Sequence, residues 1–137
     1  MESLEERNQS GIKQVVRPAD AVAPQEVSAG SATKSQVLIG EKDGAPNFAM
    51  RRFSMGEGGG MPRHTNTVEH VQYVLKGRAH VGIEEKMYEV EADHVLYIPA
   101  GAPHFYQVIE APFEFICVVP NAPDNIELAE GSPKPEC

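Results

Sequence analysis

Short runs of β-forming residues alternate with glycine and proline turns along most of this sequence, and this alternation restricts the possible folds more than any other feature. From position 36 onward the runs recur roughly every 8–12 residues, the spacing typical of β-sandwiches and barrels. The 137-residue chain contains 12 glycines and 11 prolines, and both residues interrupt helices. No segment shows a sustained helical period. The sequence therefore predicts an all-β fold and argues against a helical bundle.

The chain divides into three segments by composition. Residues 1–35 predict an irregular N-terminal arm, partly disordered, with one short strand at 12–16. Residues 36–122 predict a barrel, and residues 123–137 an acidic, proline-containing tail. Within the barrel, stretches 56–62, 76–77 and 110–112 are interpreted as turns between strands. The predicted strands of the barrel are 36–39, 47–55, 70–75, 78–84, 87–90, 95–98, 104–109 and 113–119.

Charge and cysteine content exclude several classes of function. The 20 acidic residues exceed the 12 basic ones and give a net charge of −8, so neither nucleic acid nor an anionic membrane surface is an expected partner. No apolar run is long enough to span a bilayer, and the polar N-terminus does not resemble a secretion signal. The two cysteines, Cys117 and Cys137, do not form a disulfide framework. We therefore expect a cytoplasmic protein with reduced thiols.

Strand alternation predicts which side chains face inward. In the run 70–75, His70, Gln72 and Val74 share one face, while the odd positions, beginning with Val71, share the other. Both faces carry apolar residues, so this strand is expected to be covered on both sides. A homodimer would supply the second cover. In the run 113–119, the odd positions are predicted to form the core face.

The histidines fall beside the turns. His64, Asn66 and His70 have the same parity and lie where a glycine-rich stretch enters a strand. His104 follows a second turn at 99–103. Neutral imidazole is the commonest protein ligand for Zn, Fe, Cu, Ni and Mn, and two such turns packed together would bring the rings to one point. The spacing therefore suggests a metal site, although separate surface or core histidines would give the same pattern.

Two segments resemble the paired motifs of the cupin family. Residues 58–77, a glycine turn followed by His64, Asn66, His70 and a hydrophobic strand ending in Gly77, resemble the first motif. Residues 98–104 resemble the second, Pro-x-Gly-x-x-His. The wider likeness covers about residues 36–122, and it is strongest to small, histidine-rich, manganese-binding cupins. The resemblance implies a double-stranded β-helix, or jelly-roll barrel, with one divalent transition metal per chain between its sheets.

Carried over by position, the resemblance makes His64, His70 and His104 metal ligands. Asn66 occupies the position of a further histidine, and its carbonyl oxygen is a weaker, neutral ligand. The turn before the second motif has Asp93 where the family has glycine, which puts the turn geometry in question. Manganese or iron is favoured by the resemblance, while zinc, nickel and copper remain possible because imidazole accepts all of them.

Three further polar residues, Glu69, His80 and His94, are not expected to be metal ligands. The odd parity of Glu69 points it away from His70, so it is interpreted as solvated or supporting. His80 and His94 match no motif position and are expected at the surface.

Further side chains are predicted to form a substrate pocket beside the metal. Gln72 and Tyr106 would orient a substrate, and Cys117 is either a small buried hydrophobe or a pocket thiol. Arg51, if it faces inward, would be an expensive buried charge unless an acid offset it, so it is a candidate anion binder. No residue is assigned a catalytic role. The predicted pocket residues are Gln72, Tyr106, Met61, Phe115, Cys117 and Arg51.

The leading functional hypothesis is a mononuclear metal-binding cupin with an oxygenase-like activity. Open positions on the metal would allow metal-dependent oxidation, or oxidative C–C cleavage, of a small organic molecule. One alternative is a non-catalytic cupin that binds or senses a small ligand and holds a structural metal. Another is a metal-free barrel that binds a sugar or an acid. Fold alone does not decide among them.

Overall fold

The computed structural model describes residues 13–129 and, for its backbone only, residues 4–7. Within these ranges the only helical segments are two 3₁₀ turns, Ala19–Ala21 and Glu41–Asp43. No helix of the described residues is long and apolar enough to cross a membrane. The strands are β1 (Leu4–Arg7), β2 (Lys13–Val16), β3 (Gln25–Glu26), β4 (Ser31–Ile39), β5 (Phe48–Asn66), β6 (His70–Ile83), β7 (Lys86–Glu91), β8 (Val95–Ile98), β9 (His104–Pro120) and β10 (Ile126–Leu128).

The strands form one large antiparallel sheet and one small one. β1 and β2 pair separately, and the large sheet has the order β3-β4-β5-β9-β6-β7, with β8 added to β6 and β10 added to β5. The long strands β5, β6 and β9 each pair with at least two other strands. The first half of β6 pairs with β8, and its second half pairs with β7. This arrangement is all-β, as the strand spacing predicts, and it is the jelly roll that the family resemblance implies.

Three stretches interpreted as turns instead lie inside long strands. Residues 56–62 belong to β5, 76–77 to β6 and 110–112 to β9. The register of β5 against β9 shifts between Met55 and Gly60, and that of β6 against β9 shifts on both sides of Lys76. Glycines with positive φ, such as Gly58 and Gly60, let the strand bulge and continue. The turn residues therefore mark bends within strands here.

The large sheet extends beyond residues 36–122 at both ends. β3 and the first part of β4 lie in the segment interpreted as an arm, and β10 lies in the predicted tail. β10 pairs with β5 at the positions of His64 and Asn66, so the tail contributes to the candidate site. The predicted strand at 12–16 is observed as β2, with Ile12 outside the described residues. The predicted disorder of the arm concerns residues 1–11; residues 4–7 form β1, and the others lie outside the described residues.

Alternation predicts the inward faces correctly. On β6, His70, Gln72 and Val74 are buried, whereas Val71 is 51% exposed. On β9, Phe113, Phe115, Cys117 and Val119 are all buried, as the odd-position pattern predicts. Phe115 lies at the centre of this core. Its ring stacks on Phe53 at 5.1 Å and on Tyr106 at 5.3 Å between centroids.

Candidate metal centre

Three strands bring the three motif histidines together at one end of the core. His64 lies near the end of β5, His70 begins β6 and His104 begins β9. His64 and His104 face each other in register across β5 and β9. The ring centroids of His64 and His104 are 4.2 Å apart, and those of His70 and His104 are 5.8 Å apart. All three residues are buried, so they form one cluster inside the molecule.

Backbone carbonyls fix the proton positions of two of these rings. The Nδ1 atom of His64 lies 2.7 Å from the carbonyl oxygen of Pro62, and Nδ1 of His104 lies 3.0 Å from that of Ala102. Because a carbonyl oxygen can only accept a hydrogen bond, each Nδ1 must carry the proton. The Nε2 atom of each neutral ring then keeps its lone pair, which is the arrangement of a metal-ligating histidine.

Burial keeps the three imidazoles neutral. Desolvation lowers the pKa of His70 to about 4, with a contribution from the positive charge of Arg51. Desolvation lowers the pKa of His104 to about 3, and it also lowers the pKa of His64. Neutral imidazole is the form that binds a metal, so at neutral pH no proton has to leave these rings first.

Several buried polar atoms at this cluster have no hydrogen-bond partner among the described residues. Nε2 of His104 and both ring nitrogens of His70 are buried without a hydrogen bond. The amide oxygen of Asn66 is buried and unpaired as well, although its Nδ2 donates to Oδ2 of Asp124 at 3.0 Å. Buried polar atoms are normally satisfied. These nitrogen and oxygen atoms are the donor types that a divalent transition metal takes.

The side chains of the histidine cluster are not arranged around one common point. No group of three or more His, Cys, Asp or Glu side chains in residues 13–129 could hold a metal ion in this geometry. The rings of His64 and His104 contact each other at a 53° angle between their planes. The donor chemistry therefore fits a metal, while metal binding requires the side chains to reorient within the cluster.

A cavity of about 120 Å³ opens beside the histidines. Gln72, Tyr106, Met61, Phe115 and Arg51, all predicted to contact a substrate, border it. Sequence reasoning did not include Val27, Ser35, Phe53 and Ile126, which also border the cavity. Val27 and Ile126 come from segments interpreted as an arm and a tail, where no local pattern indicates contact with the barrel interior.

Cys117 lies behind this cavity and does not border it. It is fully buried, and its Sγ is 3.6 Å from Nε2 of Gln72. The same Nε2 donates to the hydroxyl oxygen of Tyr106 at 2.7 Å. Burial raises the pKa of the Cys117 thiol and of the Tyr106 phenol, so both groups stay protonated. Gln72 thus links the cavity wall to the buried thiol.

The polar residues expected outside the cluster lie outside it. Glu69 is exposed and accepts a hydrogen bond from the Tyr97 hydroxyl on the outer face. His80 lies 3.8 Å from a carboxylate oxygen of Glu89, and His94 is exposed.

Asp93 adopts the turn conformation that the family pattern assigns to glycine. Its φ is +71°, a region that Asp tolerates better than most residues. Its carboxylate accepts a hydrogen bond from the Tyr73 hydroxyl at 2.7 Å. The turn before the second motif therefore forms in spite of the missing glycine.

Asp124 is the polar residue near the histidines that sequence reasoning missed. Its carboxylate accepts hydrogen bonds from Nδ2 of Asn66 at 3.0 Å and from the backbone N–H of Thr67 at 2.9 Å. With its amide nitrogen held by Asp124, Asn66 keeps its oxygen on the opposite side, where it is buried and unpaired. An isolated acid in a proline-containing tail carries no signal of this role.

Comparison with known proteins agrees with the geometry. The family profile of the Cupin domain matches residues 51–119, half of the chain. The chain belongs to the cupin family. No curated protein sequence matches this cupin. Among solved structures it resembles the polyketide cyclase RemF from Streptomyces resistomycificus, with 26% identity and a TM-score of 0.76 over 84% of this chain and 87% of that one.

Two further structures share the fold at lower identity. A cupin 2 conserved barrel protein from Rhodopseudomonas palustris has 21% identity and a TM-score of 0.69, over 94% of this chain and 88% of its own. A Thermotoga maritima protein described as a predicted oxalate decarboxylase has 18% identity and a TM-score of 0.68, over 77% of this chain and 97% of its own. At these identities the likeness concerns the fold alone.

Proposed function

We propose that this cupin holds one divalent transition metal and acts on a small organic molecule bound beside it. The ligands are His64, His70 and His104, with the amide oxygen of Asn66 as the fourth protein donor. The observation that carries the proposal is the set of buried, unpaired nitrogen and oxygen atoms at one end of the cavity. Manganese or iron is the favoured metal, since the motifs resemble those of manganese-binding cupins.

The metal, when bound, supplies a Lewis acid and, for manganese or iron, a redox centre. The chain supplies the surroundings. Met61, Phe53 and Phe115 give the cavity an apolar wall that excludes water. Gln72 holds the Tyr106 hydroxyl as an acceptor, which leaves the phenolic proton free to be donated to a substrate. No Asp or Glu is among the residues that border the cavity, so a carboxylate base does not enter the proposal.

Metal-dependent oxidation, including oxidative C–C cleavage, is the proposed reaction class. Redox-neutral ring closure is the second candidate. The likeness to a polyketide cyclase at 26% identity over most of both chains favours it, as do the stacked aromatic rings in the cavity wall. In that class the metal acts as a Lewis acid only, and turnover needs no O₂.

An aerobic and an anaerobic assay on the same protein separate the two classes. Protein loaded with iron, manganese or zinc would be incubated with a panel of small aromatic and aliphatic acids, and products would be followed by mass spectrometry together with O₂ consumption. Oxidation predicts O₂ consumption with iron or manganese and none with zinc. Turnover that persists without O₂ in the zinc-loaded protein would instead support ring closure, and metal-loaded protein without any turnover would favour the non-catalytic binding alternative.

We also propose that a second copy of the chain covers the outer face of the sheet. Register places Tyr97, Val71, Val118 and Met50 side by side across β8, β6, β9 and β5. Of these, Tyr97 is 57%, Val71 51% and Met50 43% exposed. A contiguous apolar face of this kind marks a protein–protein contact, and a homodimer would bury it by symmetry.

The proposed location is the cytoplasm. Cys117, the cysteine within the described residues, is free and buried, which suits a reducing compartment.

A further inference from the structure

The geometry points to Arg51 as the carboxylate-binding group of the cavity, which makes the substrate of this cupin a small organic acid. The inference names the substrate class for the proposed function. It rests on that function only for the claim that the bound acid is the substrate. The binding of the acid itself depends only on Arg51 and the cavity.

Arg51 is an inward-facing cation that has no acidic partner. It lies on β5 opposite Cys117 of β9 and borders the histidine cavity. Among the described residues, no carboxylate lies within ion-pair distance of its guanidinium. Its Nε is buried without an acceptor. Within residues 13–129, the one acceptor it reaches is Sγ of Cys117, 3.8 Å from an Nη atom, and a thiol is a weak acceptor.

The nearby acids do not pair with Arg51. Asp124 and Glu41 border a common depression with it, but the Asp124 carboxylate accepts its hydrogen bonds from Asn66 and Thr67, and among the described residues Glu41 does not lie within ion-pair distance of Arg51. Asp43, which borders a second depression with Arg51, is paired with Arg17. The neighbouring arginine provides a contrast. Arg52 points to the other face, donates to Oε1 of Gln36 at 2.7 Å and lies 3.5 Å from Asp20. A partly buried charge is normally paired with an anion. Arg52 has such a partner, whereas Arg51 has none among the described residues.

The surroundings of Arg51 select a small carboxylate over other anions. The guanidinium carbon lies over the Phe53 ring, 5.2 Å from its centroid. The planar guanidinium carries paired N–H donors that match the two oxygens of a carboxylate. The cavity of about 120 Å³ is smaller than the pockets of about 300–1,000 Å³ that hold drug-sized ligands. Phe53 and Phe115 offer the rest of the acid an apolar wall, and the histidines border the same cavity.

Titration calorimetry with propanoate tests the inference. Metal-free protein would be titrated with propanoate, with its neutral isostere propanamide and with inorganic phosphate, and the propanoate titration would be repeated on the protein as purified. We expect saturable propanoate binding that is about tenfold or more tighter than that of propanamide, because only the acid pairs with the charge. This comparison uses the unaltered chain and does not depend on the folding of a variant.

Matched arginine variants locate the site. Arg51→Met should weaken propanoate binding by about tenfold or more, while Arg52→Met, which removes the same charge from the adjacent position on the outer face, should leave it within about twofold. Equal binding of propanoate and propanamide, no propanoate binding, or an equal loss in both variants would overturn the inference. Tighter binding of phosphate would overturn the assignment to a carboxylate. If the protein binds propanoate but takes up no metal, the inference about Arg51 holds and the proposed metal-dependent function fails.

Discussion

His70 differs from the other two histidines in how its ring is held. Carbonyl oxygens fix the rings of His64 and His104, whereas neither nitrogen of His70 has a hydrogen-bond partner in the part of the chain that the structure describes. The neutral, desolvated state of all three rings is a property of the folded chain, because the unfolded chain exposes each imidazole to water. Because each of these rings has a lower pKa in the folded chain than in the unfolded chain, the stability of the metal-free protein depends on pH.

We expect the metal-free protein to lose stability as the pH falls from 6.5 to 5. The pKa is about 4 for folded His70 and about 3 for folded His104, against 6.5 for an unperturbed imidazole. The unfolded chain therefore binds more protons in this window, and stability is present above pH 6.5 and is lost as the pH falls. The two residues together predict a decrease of about 3 kcal/mol in the free energy of unfolding.

Denaturant titrations at fixed pH, with a chelator present, measure this decrease. Carboxylates contribute little above pH 5, because their ordinary pKa values are about 4. A free energy of unfolding that stays constant or rises between pH 6.5 and 5 would show that the three rings are not buried in the neutral form.

Gly60 is the residue where added side-chain bulk should cost most near the site. Its φ is +150° and an added Cβ would collide with the carbonyl oxygen of Tyr106. Gly58 has φ +71° with nothing within 4 Å of an added Cβ. Gly60→Ala should therefore lower the free energy of unfolding by at least about 1 kcal/mol more than Gly58→Ala does. Equal losses, measured by denaturant unfolding, would mean that the bulge does not depend on close backbone contact at Gly60.

At the scale of elements, β10 connects the C-terminal segment to the strand that carries two proposed ligands. The hydrogen bonds from Asn66 and Thr67 to Asp124 precede the pairing of β10 with β5 at His64 and Asn66. We expect Asp124→Ala to lower the free energy of unfolding by about 1–2 kcal/mol. It should also weaken metal binding by about 10- to 100-fold, because the Asn66 amide is no longer oriented.

Metal titration and denaturant unfolding of the same variant check both effects. Asp20→Ala is the control, since Asp20 is a 95% exposed acid that lies 3.5 Å from Arg52. If both variants bind metal as the unaltered chain does, Asp124 has no part in orienting a ligand.

Some features of the strands could be predicted from the sequence, and others could not. Alternation predicted the inward faces of β6 and β9, because a strand has a period of two and one face is buried. The structure places His64, His70 and His104 in one cluster, and the predicted pocket residues except Cys117 border its cavity; their roles as ligands and substrate contacts stay predictions. Local sequence did not distinguish a bulge at Gly58 and Gly60 from a turn, since both use glycine for positive φ.

The contribution of Asp124 and Ile126 could not be predicted for a different reason. Both come from a short segment whose composition resembles that of any exposed tail, and β10 is only three residues long. Its pairing depends on a free edge of β5, which is a property of the folded sheet. Contacts of this kind, between residues about 60 apart such as Asn66 and Asp124, leave no periodic signal.

At the scale of the whole molecule, the exposed apolar face predicts a dimer. Val71 lies in the middle of that face, between Tyr97 of β8 and Val118 of β9. Val71→Glu places a charge where the partner would pack, so we expect the variant to be monomeric by light scattering after gel filtration. Met87→Glu on β7 changes a residue that is 62% exposed and pairs with Gly82, at the opposite end of β6 from Val71, and it should leave the dimer intact. An unaltered chain that elutes as a monomer would contradict the prediction.

The metal content of purified protein decides whether this cupin holds the proposed metal. Protein prepared without oxygen or chelators would be analysed by mass spectrometry for manganese, iron, nickel, copper and zinc, beside the His64→Ala, His104→Ala and His80→Ala variants. We predict about one metal per chain in the unaltered protein and in His80→Ala, which removes a histidine on the outer side of the sheet. We predict loss of that metal in folded His64→Ala and His104→Ala, with folding checked by circular dichroism. Unchanged metal content in these two variants, or no metal in the unaltered protein even after reconstitution, would contradict the proposed metal site.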